Sequence, residues 1–443
     1  MSGVISSITI SRRVLIRSGL AVGTVAAAAG PLALRSVFAQ TDTPQSGGTL
    51  RVAVPGGSAD SLDPHRTQAQ VSDMVRFMNL FDGLSEYTSD GTVRLSLAET
   101  MTPNETATEW TVKLHQGIKT HGGADFQADD VIFSVRRILD GSAPTKGAAL
   151  IKFVDPAKVE KIDDLTLKFT LDNPHGLFPD VWANLFLRMV PRDFDAANPD
   201  GTGPFRYESF TPGQESTFKS FGSYFREKAW IDTLVVVVIN DNTAAINALR
   251  GGQIDVSYTM PFSEARTVEA SPDLRLLNNP TPMEIPIYMR TDVAPFDDVR
   301  VRQAMRLVAN RKQLVSVALA GYGTIGNDMV GRSMAPCVES SLPQREQSIE
   351  EAKKLLAEAD QSDLSVEMVT VNGTAGMVEC AQVFAEQAKA VGVTINVKNM
   401  EVGAYLANYG NWTFRGRLLV GFLSRCCGIQ PPAEWYFQHN SLE

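Results

Sequence analysis

The sequence predicts an α/β protein of more than one domain, on three observations. The chain has 443 residues, more than one hydrophobic core accommodates, so two or three domains are expected. Leu234–Ile239 (LVVVVI) is a continuous apolar run, the mark of a strand buried on both faces in an open sheet covered by helices. Leu364–Val371, Met377–Val391 and Val393–Met400 read as strand, helix and strand, the pattern of a parallel crossover unit.

Residues 1–39 stand apart from this pattern. They carry Arg12, Arg13, Arg17 and Arg35, no acidic residue, an apolar run from Gly19 to Leu34 and a Val37-Phe38-Ala39 end, which together read as a cleavable export signal outside the fold. Ser11-Arg12-Arg13-Val14-Leu15-Ile16 looks like a twin-arginine motif, with general secretion as the alternative route. The run is too rich in Gly, Ala and Thr for a good membrane span, so an uncleaved anchor is disfavoured. Losing these four arginines takes the formal charge from −9 to −13, which argues against nucleic acid and anionic lipid surfaces as partners.

Residues 40–47 are a polar linker, and Thr49–Val54 (TLRVAV) reads as a strand turning at Gly56-Gly57-Ser58 into Ser61-Leu62-Asp63-Pro64-His65. Val71, Met74, Val75 and Met78 have helical spacing over Val71–Phe81. Trp110, Val112 and Leu114 alternate with Glu109, Thr111, Lys113 and His115, the period of a half-buried strand. Past the break at Gly122-Gly123, Asp129 precedes Val131, Ile132, Val135, Ile138 and Leu139, which share one helical face with carboxylates in the first turn, and Gly141 closes the helix. Leu165–Leu171 alternates as a strand.

Gly201, Gly203 and Pro204 form a turn whose backbone can approach a neighbour closely, without the lysine or the length of a phosphate loop. Thr243–Arg250 is a short helix stopped by Gly251-Gly252. Asp298 starts a helix with Val301, Ala304, Met305 and Val308 on its core face; Arg300, Arg302 and Arg306 fit its solvated face better than an anion site. Ile349–Ala359 is another amphipathic helix. The four cysteines, Cys337, Cys380, Cys426 and Cys427, have no CxxC spacing and read as unpaired thiols.

Several words go further than periodicity. Leu97-Ala98-Glu99, Trp110-Thr111-Val112-Lys113-Leu114, Gly117-Ile118-Lys119, His121-Gly122-Gly123 and Ala128-Asp129-Asp130-Val131-Ile132-Phe133-Ser134 stand in register and resemble the signature region of the family 5 extracellular solute-binding proteins, the peptide and nickel-type receptors of ABC importers. Asp200-Gly-Thr-Gly-Pro-Phe205 and Ala294-Pro-Phe-Asp-Asp-Val-Arg-Val-Arg-Gln-Ala304 match further words of that family. The resemblance covers Gly48 to about Gly421.

It implies a periplasmic-binding-protein-like α/β fold of the class II, three-domain type: two lobes around a cleft and an additional small domain. The expected division is 48–83 and 173–275 for lobe I, 84–172 for the small domain and 276–443 for lobe II. The implied function is a periplasmic receptor, monomeric and without cofactor, that closes on a peptide, opine-like or other amphipathic solute and presents it to an ABC permease in the inner membrane. Candidate ligand-binding residues are Gln68, Gln70, Tyr258, Trp412, Arg415 and Phe422; Trp182 reads as core.

The resemblance fails after Gly421. Peptide-binding members usually carry a Gly-Trp pair followed by an Asp for the ligand's amino group, whereas here Phe422 takes the Trp position and Arg425 stands where the acid is expected. A buried cation there repels a peptide amino terminus. Members also continue beyond the point where this chain stops; a truncated or frame-shifted product, a non-binding remnant and a natural short variant are the alternatives. A nickel or metal-chelate receptor is a further alternative, although His115 and His121 read more simply as a strand and its loop. With no HExxH and no GxSxG word among five histidines and the rest of the chain, catalysis is not expected.

Overall fold

A computed structural model of the chain describes residues 8–11, 46–67, 70–88, 92–143, 145–258, 260–278, 284–328, 342–371, 375–400, 404–405 and 414–416. Its architecture is α/β, built on a central seven-stranded sheet, a four-stranded side sheet and a four-stranded C-terminal sheet. Among the described residues no helix is long and apolar enough to cross a membrane.

The central sheet runs, edge to edge, through Leu274–Leu277, Ile8–Ser11, Val256–Ser257, Thr49–Val54, Thr233–Val238, Glu215–Ser220 and Phe205–Thr211. Thr49–Val54 is parallel to Thr233–Val238 and to Val256–Ser257, while the strands toward Phe205 pair antiparallel. The apolar run is covered on both faces as its composition requires. Leu234 and Val236 pack with Phe77, Leu80 and Phe81, and Val237 and Ile239 pack against Ile246 and Leu249. Ile8–Ser11 lies within the stretch read as a leader outside the fold, yet it pairs antiparallel with both Val256–Ser257 and Leu274–Leu277. That pairing satisfies backbone groups of two facing edges.

The Val71–Leu80 helix forms as expected, and Val71, Met74 and Val75 pack partly buried against the core, but its most buried positions are others. Ser72, Asp73, Arg76, Phe77 and Leu80 are its buried residues, and Met78 is exposed. The reason is a buried ion cluster: Arg76 donates to Asp60 at 3.0 Å, to Asp73 at 3.2 Å and to Ser216 Oγ at 2.9 Å, and all three charged side chains are shielded from solvent. Paired charges of this kind are tolerated inside only because every donor finds an acceptor.

In the side unit the strands run Ala98–Pro103, Glu109–Leu114, Thr166–Leu171 and Val154–Lys161, all antiparallel to their neighbours. Trp110, Val112 and Leu114 are buried, as are Leu167, Phe169 and Leu171. The Ala128–Leu139 helix covers them, capped by a reciprocal pair in which Gln127 and Asp130 each bond the other's backbone. This core continues beyond Asp172 to Phe178, Val181, Trp182, Leu187 and Met189. Phe178 stacks on Trp110 with ring centroids 5.0 Å apart and meets Phe169 edge-on at 5.0 Å.

The C-terminal unit places Ile287–Met289, Phe414–Gly416, Ser365–Val371 and Thr394–Met400 in one sheet, the last two parallel through the Met377–Ala388 helix. Val301, Ala304, Met305 and Val308 of the Val299–Val308 helix are all buried against Leu356 and Phe384. Asp298 caps that helix, accepting from Arg300 N at 2.7 Å. Cys380 is buried and free, its thiol pushed up to about 12 by burial; the other cysteines lie outside the described residues.

Two devices fasten the side unit to the central one. Arg137 donates to Asp63 at 2.8 and 2.5 Å and to His65 Nδ1 at 2.8 Å. Burial pushes the Asp63 carboxyl up, but Arg137 and the amides of Arg66 and His65 outweigh it and hold the group below the usual range. The second device is the glycine turn, where Gly201 O accepts from His121 N of the side unit at 2.8 Å and His121 Nε2 lies 3.0 Å from Gly203 O. A Cβ on Gly201 would sit 2.1 Å from the Leu80 carbonyl oxygen and one on Gly203 2.4 Å from that of Asn79, so only glycine lets this turn seat on the end of the Val71–Leu80 helix.

Candidate binding seam between the central and C-terminal units

The apolar cluster beneath the central sheet contains Ile246, Leu249, Ile254, Met260, Ala265, Val268 and Leu274, and Tyr322 packs against it. Tyr322 follows the Arg311–Gln313 helix and its π-helical continuation Leu314–Ala318, which contacts the Met377–Ala388 helix of the C-terminal unit. Flanked by Gly321 and Gly323, the ring therefore reaches out of one unit into the other. Its partner is Phe262, whose ring lies nearly parallel to it at 19° with centroids 6.4 Å apart.

Phe262 itself leans on the C-terminal unit. A Cβ built on Gly376 would fall 3.3 Å from Phe262 Cε2, 3.3 Å from Ile285 Cδ1 and 2.4 Å from Leu319 Cδ2. Gly376 also has φ +89°, in the left-handed region that glycine alone enters freely, at the N-cap of the Met377–Ala388 helix. Glycine there serves two needs: the backbone turn that starts the helix, and room for Phe262.

Between these side chains is a shallow hollow lined by Met260, Pro261, Phe262, Ala265, Leu276, Asn278 and Tyr322. Its walls are apolar and aromatic, with the Asn278 amide and the Tyr322 hydroxyl as polar features. Burial and a hydrogen bond to Glu269 push that hydroxyl above its ordinary pKa, keeping it a neutral donor. Among the described residues the lining carries no carboxylate, thiol or imidazole.

The residues expected at the site from the sequence are distributed. Tyr258 ends the Val256–Ser257 strand, donates its N–H to Ala53 O at 2.9 Å and is buried in the central core, two residues ahead of Met260. Burial pushes its hydroxyl far up. Gln70 takes the N-cap position of the Val71–Leu80 helix without a side-chain capping bond. Arg415 is the middle residue of Phe414–Gly416, opposite Tyr288 and beside Val369 in the C-terminal sheet. Gln68, Trp412 and Phe422 lie outside the described residues.

The sequence reading missed Phe262, Asn278, Tyr322 and Gly376. An aromatic flanked by glycines, as in Gly321-Tyr322-Gly323, fits no helix or strand period and was the available signal. Of the two histidines weighed for metal, His121 is turned inward with Nε2 3.0 Å from Gly203 O. Among the described residues no group of three His, Cys, Asp or Glu is arranged to hold a metal ion.

Two α/β units meeting at an aromatic seam, with a smaller unit fastened to one of them, define a two-lobed binding-protein architecture. Residues 92–417 match the bacterial extracellular solute-binding proteins, family 5, and the chain belongs to that family. It is 27% identical over 361 residues to the glutathione-binding protein GsiB of Salmonella paratyphi A, covering 80% of this chain and 70% of the relative. Its fold is similar to DppA of Helicobacter pylori in complex with the peptide STSA (TM-score 0.70, 20% identity, 86% of this chain and 80% of the other). It also matches NikA of Brucella suis in complex with Fe(III)-EDTA (TM-score 0.73, 18% identity, 85% and 80%).

Proposed function

We propose that this chain is the solute receptor of an ABC importer, working in the periplasm as a monomer after removal of residues 1–39, and that it captures a peptide or peptide-like solute. The observation that carries the ligand class is the seam: an apolar hollow bounded by the Phe262 and Tyr322 rings, with Asn278 beside it and glycine at Gly376. Its apolar and aromatic character suits contact with a side chain of an extended ligand whose polar groups continue along the seam. A glutathione-binding relative and a neighbour holding STSA support a ligand of that kind.

The division into lobe I at 48–83 and 173–275, a small domain at 84–172 and lobe II at 276–443 belongs to this proposal, as do the roles of Gln68, Gln70, Tyr258, Trp412, Arg415 and Phe422. The receptor performs no chemistry on its solute; it gives the closed form to the permease by relative movement of the lobes.

Calorimetric titration of the chain starting at Gln40 with glutathione and with a panel of di- and tripeptides tests the reading. Saturable binding with a negative heat-capacity change, weakened about tenfold or more in Tyr322→Ala and Phe262→Ala, is expected. Wild-type affinity in both variants would remove the seam from the binding site.

A further inference from the structure

The loop that leads from the Thr49–Val54 strand into the Val71–Leu80 helix is gripped from two sides before the chain reaches Gln68 and Gln70. From the side unit, the end of the Ala128–Leu139 helix holds three loop residues. Arg137 donates to both oxygens of Asp63 and to Nδ1 of His65, and Asp140, at the C-cap of the same helix, accepts from Arg66 at 3.2 Å. Asp63 also accepts from the amides of His65 at 3.0 Å and Arg66 at 3.1 Å, so the carboxylate that Arg137 holds is the one that closes the turn. From the other side, Asp73 accepts from the Ser61 amide at 2.7 Å and from the Thr67 hydroxyl at 2.6 Å, while Arg76 holds Asp73 at 3.2 Å.

These grips differ in strength. Arg66 and Asp140 are both exposed enough for their pair to contribute little. Arg137 and Asp63 are largely shielded, and a two-pronged guanidinium–carboxylate contact fixes direction as well as distance. Asp73 is fully shielded, so loss of the Thr67 hydroxyl would leave one of its oxygens unpaired. Attachment of the side unit does not by itself require any of this, because Arg226 already joins Asp82 to Glu86 elsewhere along the same boundary. What the grips add is order: a loop held at Ser61, Asp63, His65 and Thr67 has already lost the conformational freedom that a loose loop would lose on binding. Gln70, at its end, makes no side-chain capping bond to the helix that it starts.

We propose that Arg137 and Asp73 are positioning residues for solute capture, which they serve without touching the solute: together they preset the loop that carries Gln68 and Gln70. The side unit then has a role in binding through the end of one helix. This inference rests on the reading of Gln68 and Gln70 as solute contacts, and it does not depend on the seam at Phe262 and Tyr322.

The test is calorimetric titration of the full-length chain with glutathione and a panel of di- and tripeptides, the tightest binder being carried through the variants. Arg137→Gln is expected to weaken it about tenfold or more, through a less favourable entropy, and Thr67→Val about threefold or more, with Thr67→Ser close to wild type. In the free Arg137→Gln protein amide exchange at His65–Thr67 should be faster, and it should slow again on saturation with solute. Val159→Ala, in the side unit's core on the Val154–Lys161 strand, should melt lower and bind as wild type does. The proposal is overturned if Arg137→Gln binds as wild type does, if Val159→Ala loses affinity as Arg137→Gln does, or if Thr67→Ser is as weak as Thr67→Val. Wild-type affinity in both Gln68→Ala and Gln70→Ala, or no binding by the wild type, removes the loop from the site and the proposal with it. Weakened binding in those two variants but not in Arg137→Gln leaves the loop in the site and defeats the positioning role alone.

Discussion

Arg137 reaches from the side unit into the central unit and donates to Nδ1 of His65 at 2.8 Å. Because Nδ1 accepts, the ring is neutral with its proton on Nε2, which donates to Arg188 O at 2.7 Å. Burial first, and then the charge of Arg137, depress the His65 pKa to about 4 against the pull of the Arg188 carbonyl and Asp63.

A folded-state pKa below the ordinary value near 6.5 means that the unfolded chain takes up the proton first on acidification. The contribution is fully present above pH 6.5 and is lost as the pH falls from there toward 4, by on the order of 3 kcal/mol. Urea unfolding across this window should show the decline in the wild type and a flatter profile in His65→Gln.

The glycine turn gives a steric prediction. Gly203→Ala places a Cβ 2.4 Å from the Asn79 carbonyl oxygen, and backbone cannot yield there as a flexible side chain would. A loss of about 1–3 kcal/mol is expected in chemical denaturation, whereas Gly222→Ala, with open space around the new Cβ, should change little.

Phe178 joins four aromatic neighbours, Trp110, Phe153, Phe169 and Trp182. Phe178→Ala should cost about 3–5 kcal/mol. If the side unit melts separately, its transition alone should shift in calorimetry, because Phe178 belongs to that core although it follows Asp172.

Leu274–Leu277 pairs, among the described residues, with Ile8–Ser11. A chain starting at Gln40 lacks that strand, so amide exchange at Leu274–Leu277 should be faster than in the full-length chain. Equal protection in both would mean that another segment pairs there.

Much of this fold was legible in the sequence. The alternation around Trp110 and around Phe169, the Asp298 cap with its four buried apolar positions, and the crossover at Ser365–Met400 depend on local periodicity, which a sequence displays directly. The most buried positions of the Val71–Leu80 helix were not legible. Periodicity treats Asp73 and Arg76 as solvated, and what buries them are Asp60 and Ser216, the latter 140 residues away. The seam was hidden for the same reason: Phe262 and Tyr322 belong to different units and meet only through their packing. The glycine turn was readable because close approach demands glycine whatever the partner.

The central claim is that the chain captures a peptide-like solute between its units. Native mass spectrometry of the protein purified from the periplasm of an expressing cell, before and after mild denaturation, tests it most directly. The account predicts a folded charge-state distribution, a mature start near Gln40 and a small-molecule adduct released on unfolding, with an amide-containing fragmentation pattern, and no adduct in Tyr322→Ala. A folded protein that carries no adduct and takes up none from a mixture of glutathione and short peptides would contradict it.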